Sequence, residues 1–115
     1  MSLMRVQVKM IKTYVAHPYG GMESCEASVE KIIKKLVVKN PDVLYISPIH
    51  ALGYLYTAVS YDKGMDYCYE LLKSCDELML CQGWEKSKGC CLEHVFAIIN
   101  NIPIKYYKKG RIWDA

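Results

Sequence analysis

Apolar runs alternate with amphipathic segments along the first half of this chain. Residues 12–16 are β-branched and aromatic, and a proline and two glycines follow at 17–21, which predicts a strand and a tight loop. Residues 24–40 place apolar side chains at helical spacing, with charged residues opposite, so an amphipathic helix is predicted to end before Pro41. Residues 42–48 are nearly all apolar, as in a parallel strand covered by helices on both faces.

The second half continues this alternation. The tyrosine-rich stretch at 53–61 fits no single pattern, whereas apolar positions from Met65 to Cys75 predict a helix that ends near Ser74. A short strand at 77–81 and a loop at 82–86 follow, and Ser87 is predicted to cap a helix from 88 to about 100. Residues 102–107 are the last predicted strand. The sequence therefore predicts an α/β three-layer sandwich, flavodoxin-like or Rossmann-like, with a four- or five-stranded parallel sheet.

Length and charge narrow the class of protein. The 115 residues, 52% of them hydrophobic, suit one domain over 1–115, with residues 1–5 expected to be disordered or a remnant of cloning. The net charge is +3 and the lysines are dispersed, so a nucleic acid polymer is not an expected partner. No apolar stretch approaches about 18 residues and no signal-like start occurs, so we expect no membrane partner and a cytoplasmic location.

The six cysteines fall within apolar runs and form no C-x-x-C pair, so most are expected to be reduced core residues. Cys90 and His94 are four residues apart on a predicted helix, a spacing at which two side chains can face one metal ion. Because two further ligands at fitting spacing are missing, neither a metal nor another cofactor is predicted. A redox or metal protein built on Cys90, Cys91 and His94 ranks last among the alternatives.

In open parallel sheets the ligand crevice lies outside the carboxyl ends of the strands, here the loops at 17–21, 47–50 and 82–89. Their glycines, hydroxyls, imidazoles and lysines suit an anionic or sugar-bearing ligand, while the usual dinucleotide and triphosphate motifs are missing. An alternative for His17 and His50 is a hydrogen bond to loop carbonyls. Trp84 is either part of a lid or part of a subunit contact. The candidate substrate-binding residues are His17, Pro18, Tyr19, Gly20, Gly21, Ser47, His50, Trp84, Ser87 and Gly89.

The last predicted helix carries a carboxylate between two small residues. A helical wheel assigns four apolar residues to its core face, namely Cys91, Val95, Ile98 and Ile99. Gly89, Glu93 and Ala97 form a stripe on another side. The small neighbours leave room for a ligand or a partner chain near the carboxylate, and partial desolvation there would raise its pKa. The alternative is a solvated surface glutamate.

The helix start Ser87-Lys88-Gly89-Cys90-Cys91-Leu92-Glu93, with Ala97 after it, resembles the S-x-G-x-x-x-E...A motif of the nucleoside deoxyribosyltransferase superfamily. The strand and loop at 14–21 resemble the superfamily's first loop, which holds the sugar or its phosphate. The resemblance spans roughly residues 12–104 and is strongest for a branch of short phage and bacterial proteins of unassigned function. Segments 46–50, 75–78 and 83–87 are its further marks.

The resemblance implies cleavage or transfer at the N-glycosidic bond of a (deoxy)nucleoside or nucleoside 5′-monophosphate. Glu93 matches the nucleophile that forms a glycosyl-enzyme intermediate; a base as acceptor makes the protein a transferase, and water makes it a hydrolase. Ser87 matches a serine that contacts the 5′-phosphate in nucleotide N-glycosidases, which favours the hydrolase branch. Members complete their sites across subunits, so a homodimer or a higher homo-oligomer is implied.

Two positions depart from the superfamily's pattern. Cys68 stands where an acid usually lies on the helix before the third strand, so either Asp66 or Glu70 replaces that acid or it is absent; Asp66 is kept as the second catalytic candidate. Tyr19 stands where nucleotide hydrolases often have an arginine. The missing acid favours the alternative function, a non-catalytic nucleotide-binding or sensing module on the same fold.

Overall fold

The computed structural model describes residues 9–115, and residues 1–5, expected to be disordered or a remnant of cloning, lie outside them. Its strands are β1 (Ile11–Ala16), β2 (Val43–Ile46), β3 (Glu77–Cys81), β4 (Ile104–Lys108) and β5 (Arg111–Asp114). Its helices are α1 (Glu23–Lys39), α2 (Pro48–Leu52), α3 (Tyr61–Lys73) and α4 (Lys88–Ile99), with short 3₁₀ turns at Gly53–Leu55 and Trp84–Lys86. These elements confirm the predicted α/β class.

The strands form one sheet in the order β2-β1-β3-β4-β5. The first four are parallel, with Tyr14 of β1 in register with Ile46 of β2 and Leu78 of β3. The predicted parallel sheet is confirmed for these four strands, and β5, which was not predicted, adds a fifth strand antiparallel to β4. Lys109 and Gly110 join these strands with φ angles of 53° and 73°. A two-residue turn with positive φ at both positions closes a hairpin and is too short for a crossover.

Helices cover both faces of the sheet and give the predicted three layers. Alternate strand residues point to opposite faces, so Tyr14, Ala16, Leu78 and Leu80 pack with Leu72 of α3 and with Cys90 and Ala97 of α4. The opposite face holds Val15, Met79 and Cys81, which pack with Val29 and Leu36 of α1. The core consists of these two clusters, one on each side of the sheet.

The orientation of α4 differs from the helical-wheel prediction. Val95, Ile98 and Ile99, assigned to the core face, are 51%, 56% and 72% exposed, and Cys91 is half-buried. The buried side of the helix instead carries Cys90, Glu93 and Ala97. Small residues beside Glu93 let the helix approach the sheet closely, and a buried partner satisfies the carboxylate. A wheel that sorts positions by hydrophobicity alone placed this helix in the wrong rotation.

Hydroxyl caps set the starts of α2 and α3. Ser47 Oγ accepts from the backbone N–H of His50, and Pro48 occupies the first helical position of α2, a helix that the apolar pattern did not reveal. Ser60 Oγ accepts from the N–H of Lys63, so α3 begins at Tyr61. The apolar pattern placed that start near Met65 because the first turn of α3 is exposed.

The six cysteines are free thiols; Cys75, Cys81 and Cys90 are buried and the others half-buried. Between residues 9 and 115, no helix combines the length and apolar character needed to cross a membrane.

Candidate functional site

The candidate site is a cleft of about 690 Å³ at the carboxyl ends of β1 and β3. These neighbouring strands continue in opposite directions across the sheet, β1 to β2 and β3 to β4, so the cleft lies at the topological switch point of the fold. Its walls are the loop after β1, the segment from α2 to the start of α3, and the first turns of α4. The site therefore lies where open α/β sheets hold their ligands.

Glu93 of α4 lines this cleft although it is only 5% exposed. Tyr14 of β1, fully buried, donates its hydroxyl hydrogen to Glu93 Oε2. The other carboxylate oxygen, Oε1, has no hydrogen-bond partner within residues 9–115. Every fully buried side-chain oxygen in that range has such a partner, so Oε1 is not fully buried. Oε1 is therefore the oxygen left open to the cleft, and the alternative of a solvated surface glutamate is wrong.

Burial raises the pKa of both members of this pair. Burial raises the pKa of Glu93 to about 7, although the hydrogen bond from Tyr14 lowers it. Burial first, and then the charge of Glu93, raise the pKa of Tyr14 well above its usual range. Tyr14 thus remains a donor at neutral pH, while Glu93 gains or loses its proton there.

Six of the predicted substrate-binding residues line the cleft together with Glu93: His17, Pro18, Tyr19, Gly20, Ser87 and Gly89. The ring of His17 is held by contacts of Nδ1 with the Pro18 carbonyl at 2.7 Å and of Nε2 with Ser28 Oγ at 3.1 Å. His17 therefore bonds to a loop carbonyl, the alternative named from the sequence, and also lies at the edge of the cleft.

The remaining four predicted binding residues do not line the cleft. Ser47 Oγ and His50 Nδ1 are 2.8 Å apart, and the other ring nitrogen of His50 faces Glu30 at 3.8 Å. The ring of Trp84 packs against the core and lies 4.7 Å from that of His94, so its half-buried position comes from packing. Gly21 is outside the lining, but its φ is +79° and an added Cβ would stand 2.9 Å from the Tyr56 ring.

The second catalytic candidate, Asp66, also lies away from the cleft. It is exposed on α3, where it and Glu70 line a separate, smaller depression of about 420 Å³. Cys68, at the position of the superfamily's acid, does line the cleft. Residues two positions apart on a helix point in different directions, so neither neighbouring acid takes the place of Cys68.

Tyr14, the hydrogen-bond partner of Glu93, was not identified from the sequence. Tyr14 shares a sheet face with Ala16, and the alternation of strand residues could have assigned it to the side of α4. Tyr56 and Tyr61 also line the cleft, and Tyr56 meets Tyr19 edge-on with ring centroids 5.4 Å apart. The tyrosine-rich segment that fitted no single pattern therefore forms one wall of the cleft.

The start of α4 gives the cleft a polar end. Ser87 Oγ accepts from the N–H of Cys90 at 3.2 Å, which confirms the predicted cap. Lys86 and Lys88 flank this cap and also line the cleft. Free N–H groups and two ammonium groups at a helix N-terminus favour an anionic ligand group at this end.

No group of three or more histidine, cysteine, aspartate or glutamate side chains suited to a metal ion occurs in the described part of the chain. Cys90 is buried in the core, and the ring of His94 packs on Trp84. Within residues 9–115 no wider ligand set is assembled around these two residues.

Comparison with known proteins adds one assignment. A search of curated proteins found no match. A family model covers residues 11–106, from the start of β1 into β4, and thus the whole cleft. The chain belongs to the family described as a domain of unknown function, DUF4406.

Proposed function

We propose that the protein cleaves or transfers at the N-glycosidic bond of a (deoxy)nucleoside or nucleoside 5′-monophosphate, with Glu93 as the nucleophile. The observation that carries the proposal is a nearly buried carboxylate in the lining of a cleft of about 690 Å³. Its pKa of about 7 leaves a large fraction ionised at neutral pH. The motif resemblance at residues 87–97 supplies the reaction type.

The reaction would proceed in two displacements. An oxygen of ionised Glu93 bonds to the anomeric carbon, and the base departs with the electron pair of the glycosidic bond. Water or a second base then bonds to the same carbon, and the ester to Glu93 breaks to restore the carboxylate. The hydrogen bond from Tyr14 orients Glu93 Oε2 and leaves Oε1 for the attack. Tyr14 is therefore a positioning residue in this scheme.

The walls of the cleft suit the parts of such a substrate. Gly20 and Gly89 permit close approach to the sugar, and the cap at Ser87 with Lys86 and Lys88 offers an anion site for a 5′-phosphate. The aromatic wall, which includes Tyr19 and Tyr56, offers edges and faces for a planar base. No metal or other cofactor takes part in this scheme.

Chromatography of free base released from a panel of nucleosides and 5′-monophosphates tests the proposal. The wild-type protein should release base, and Glu93→Gln should reduce the rate by several orders of magnitude because an amide cannot form the ester. Glu85→Gln is the matched control, since Glu85 is exposed and does not line the cleft. Release by Glu93→Gln at the wild-type rate would contradict the proposal.

The second candidate is a nucleotide-binding or sensing module without catalysis. The observation that favours it is that Glu93 is the only carboxylate lining the cleft within residues 9–115, with Cys68 at the place of the usual acid. This candidate predicts nucleotide binding by calorimetry with no base release, and nearly unchanged affinity in Glu93→Gln. Base release by the wild-type protein would contradict it.

We also propose a homodimer or larger homo-oligomer, as the resemblance implies. The exposed apolar residues Val95, Ile98 and Ile99 on one side of α4 are compatible with a subunit contact. Sedimentation equilibrium of the wild-type protein and of Ile99→Lys tests this, because a lysine in a buried contact should shift the protein to monomer. A wild-type monomer at all concentrations would contradict it.

A further inference from the structure

Cleavage of an N-glycosidic bond requires a proton for the departing base. General acid catalysis of such a step typically contributes about 10²–10⁴-fold. Retaining glycosidases take the proton from a second carboxyl group about 5–5.5 Å from the nucleophile. Within residues 9–115 the cleft lining holds no carboxylate besides Glu93. The donor must therefore be of another chemical kind.

Two nearby groups that could hold such a proton are engaged elsewhere. Tyr14 is fully buried and gives its hydrogen to Glu93. Both ring nitrogens of His17 have protein contacts, with the Pro18 carbonyl and with Ser28 Oγ. Neither of these two residues presents a free hydrogen to a ligand in the cleft. A third group, the thiol of Cys68, lines the cleft and is half-buried beside Tyr14.

Tyr61, the first residue of α3, has its hydroxyl against the first turn of α4. A Cβ added at Gly89 would stand 3.2 Å from the Tyr61 hydroxyl oxygen. Gly89 precedes Glu93 by one helical turn, a spacing at which Cβ positions are about 5–6 Å apart. Burial and the charge of Glu93 raise the pKa of Tyr61, which keeps its hydroxyl protonated. The phenol thus lies along the same side of α4 as the carboxylate.

The ring of Tyr61 is held while its hydroxyl remains available. Lys88 Nζ lies 4.9 Å from the ring centroid, a cation–π contact. The side chain lines the cleft and is 43% exposed. Its hydroxyl donates to no other described residue, so the hydrogen is free for a bound ligand. Gly89 provides the space in which the hydroxyl sits.

We propose that Tyr61 is the general acid that protonates the departing base. This inference rests on the proposed function. As the bond from Glu93 to the anomeric carbon forms, the glycosidic electron pair moves to the base nitrogen, which takes the hydrogen of the Tyr61 hydroxyl. Water then attacks the anomeric carbon and gives one proton to the Tyr61 phenolate, and the ester pair returns to Glu93. The products are free base and free sugar, and both residues recover their starting state.

The role of Tyr61 as general acid is tested by comparing a substrate whose base needs a proton to leave with one whose base does not. An unmodified purine nucleoside needs a proton to depart, whereas an N7-methylated purine nucleoside carries a cationic base that leaves neutral without one. Tyr61→Phe should lower kcat/KM for the unmodified substrate by about 100-fold and for the methylated one by less than about threefold. Tyr54→Phe is the matched control, because Tyr54 is 75% exposed and lies outside the cleft lining.

Equal losses on both substrates, or no loss on either, would overturn the role of Tyr61 while base release by the wild-type protein still upheld the proposed function. No release from either substrate by the wild-type protein would overturn the proposed function, and the role of Tyr61 with it. A loss confined to the unmodified substrate supports both, since a residue that only shaped the pocket would affect the two purines alike.

Discussion

Tyr14 on the first strand donates a hydrogen bond to Glu93 on the last helix, across 79 positions of sequence. Both side chains are buried, yet Glu93 also lines the cleft. One oxygen of the carboxylate is thereby held by the sheet and the other is left to a ligand. Tyr14 thus links a core residue to the proposed nucleophile. Variants that change the protonation of Glu93 are therefore the most informative ones.

Removing the Tyr14 hydroxyl should raise the pKa of Glu93 further, because that hydrogen bond lowers it. A hydrogen bond to a charged group is worth about 1.5–3 kcal/mol, which corresponds to roughly 1–2 pH units. In Tyr14→Phe the midpoint of the pH–rate profile for base release should therefore move upward by roughly that amount. Tyr45→Phe, a buried tyrosine on the opposite face of the sheet, is the control. An unchanged midpoint would show that Tyr14 does not act on Glu93.

Glu93 should make the protein less stable as pH rises. Its pKa is about 7 in the folded protein against an ordinary 4.5, so the folded state binds more protons between these values and stability falls across this window. At about 1.4 kcal/mol per pKa unit the loss is about 3 kcal/mol. Glu93→Gln should lack this loss, whereas exposed Glu85→Gln should keep it. Urea unfolding between pH 3.5 and pH 8 (about one unit beyond each pKa) measures the difference, and parallel curves would contradict the burial of the charge.

Gly21 and Gly110 should respond differently to alanine. Both have positive φ, +79° at Gly21 and +73° at Gly110, and alanine there costs roughly 1–2 kcal/mol. A Cβ at Gly110 meets nothing within 4 Å, whereas at Gly21 it would stand 2.9 Å from the Tyr56 ring. Gly21→Ala should therefore also weaken nucleotide binding measured by calorimetry, while Gly110→Ala, which lies outside the cleft lining, should not. Equal affinities in the two variants would contradict the role of Tyr56 as a wall of the cleft.

The rotation of α4 can be tested by stability alone. Ala97 is fully buried and Ile98 is 56% exposed. Ala97→Val should cost about 1–3 kcal/mol through overpacking, while Ile98→Ala should change stability by at most about 0.5 kcal/mol in the monomer. Chemical denaturation at low protein concentration, where subunit contacts are weak, makes the comparison. The reverse order would restore the face that the helical wheel predicted.

Most of the fold could be predicted from the apolar runs and the helix cap in the sequence. The apolar runs predicted β1 to β4 because those strands are buried by helices, and the N-cap at Ser87 was predicted from its position before an apolar helix. β5 was missed because Arg111 and Asp114 bound a short edge strand with no apolar alternation. α2 was missed because its five residues are too few to show a helical period.

The site was less accessible to sequence reasoning because it depends on contacts between distant segments. Glu93 was identified from its small neighbours and from the resemblance, but the burial of its side of α4 depends on Tyr14, which no local pattern connects to it. His50 was predicted from its loop and instead bonds to Ser47 outside the cleft. Tyr61 and Gly89 meet only after α3 and α4 pack together. Pairings of this kind require the tertiary structure.

The most direct test of the account is to trap the covalent intermediate on Glu93. The protein is incubated with a 2′-fluorinated nucleoside, whose electron-withdrawing fluorine slows release of the sugar, and is then digested and analysed by mass spectrometry. If Glu93 is the nucleophile, one glycosyl group is added to the peptide that contains Glu93, and none in Glu93→Gln. Release of base from that nucleoside with the sugar attached to another residue, or with equal release by Glu93→Gln, would contradict it.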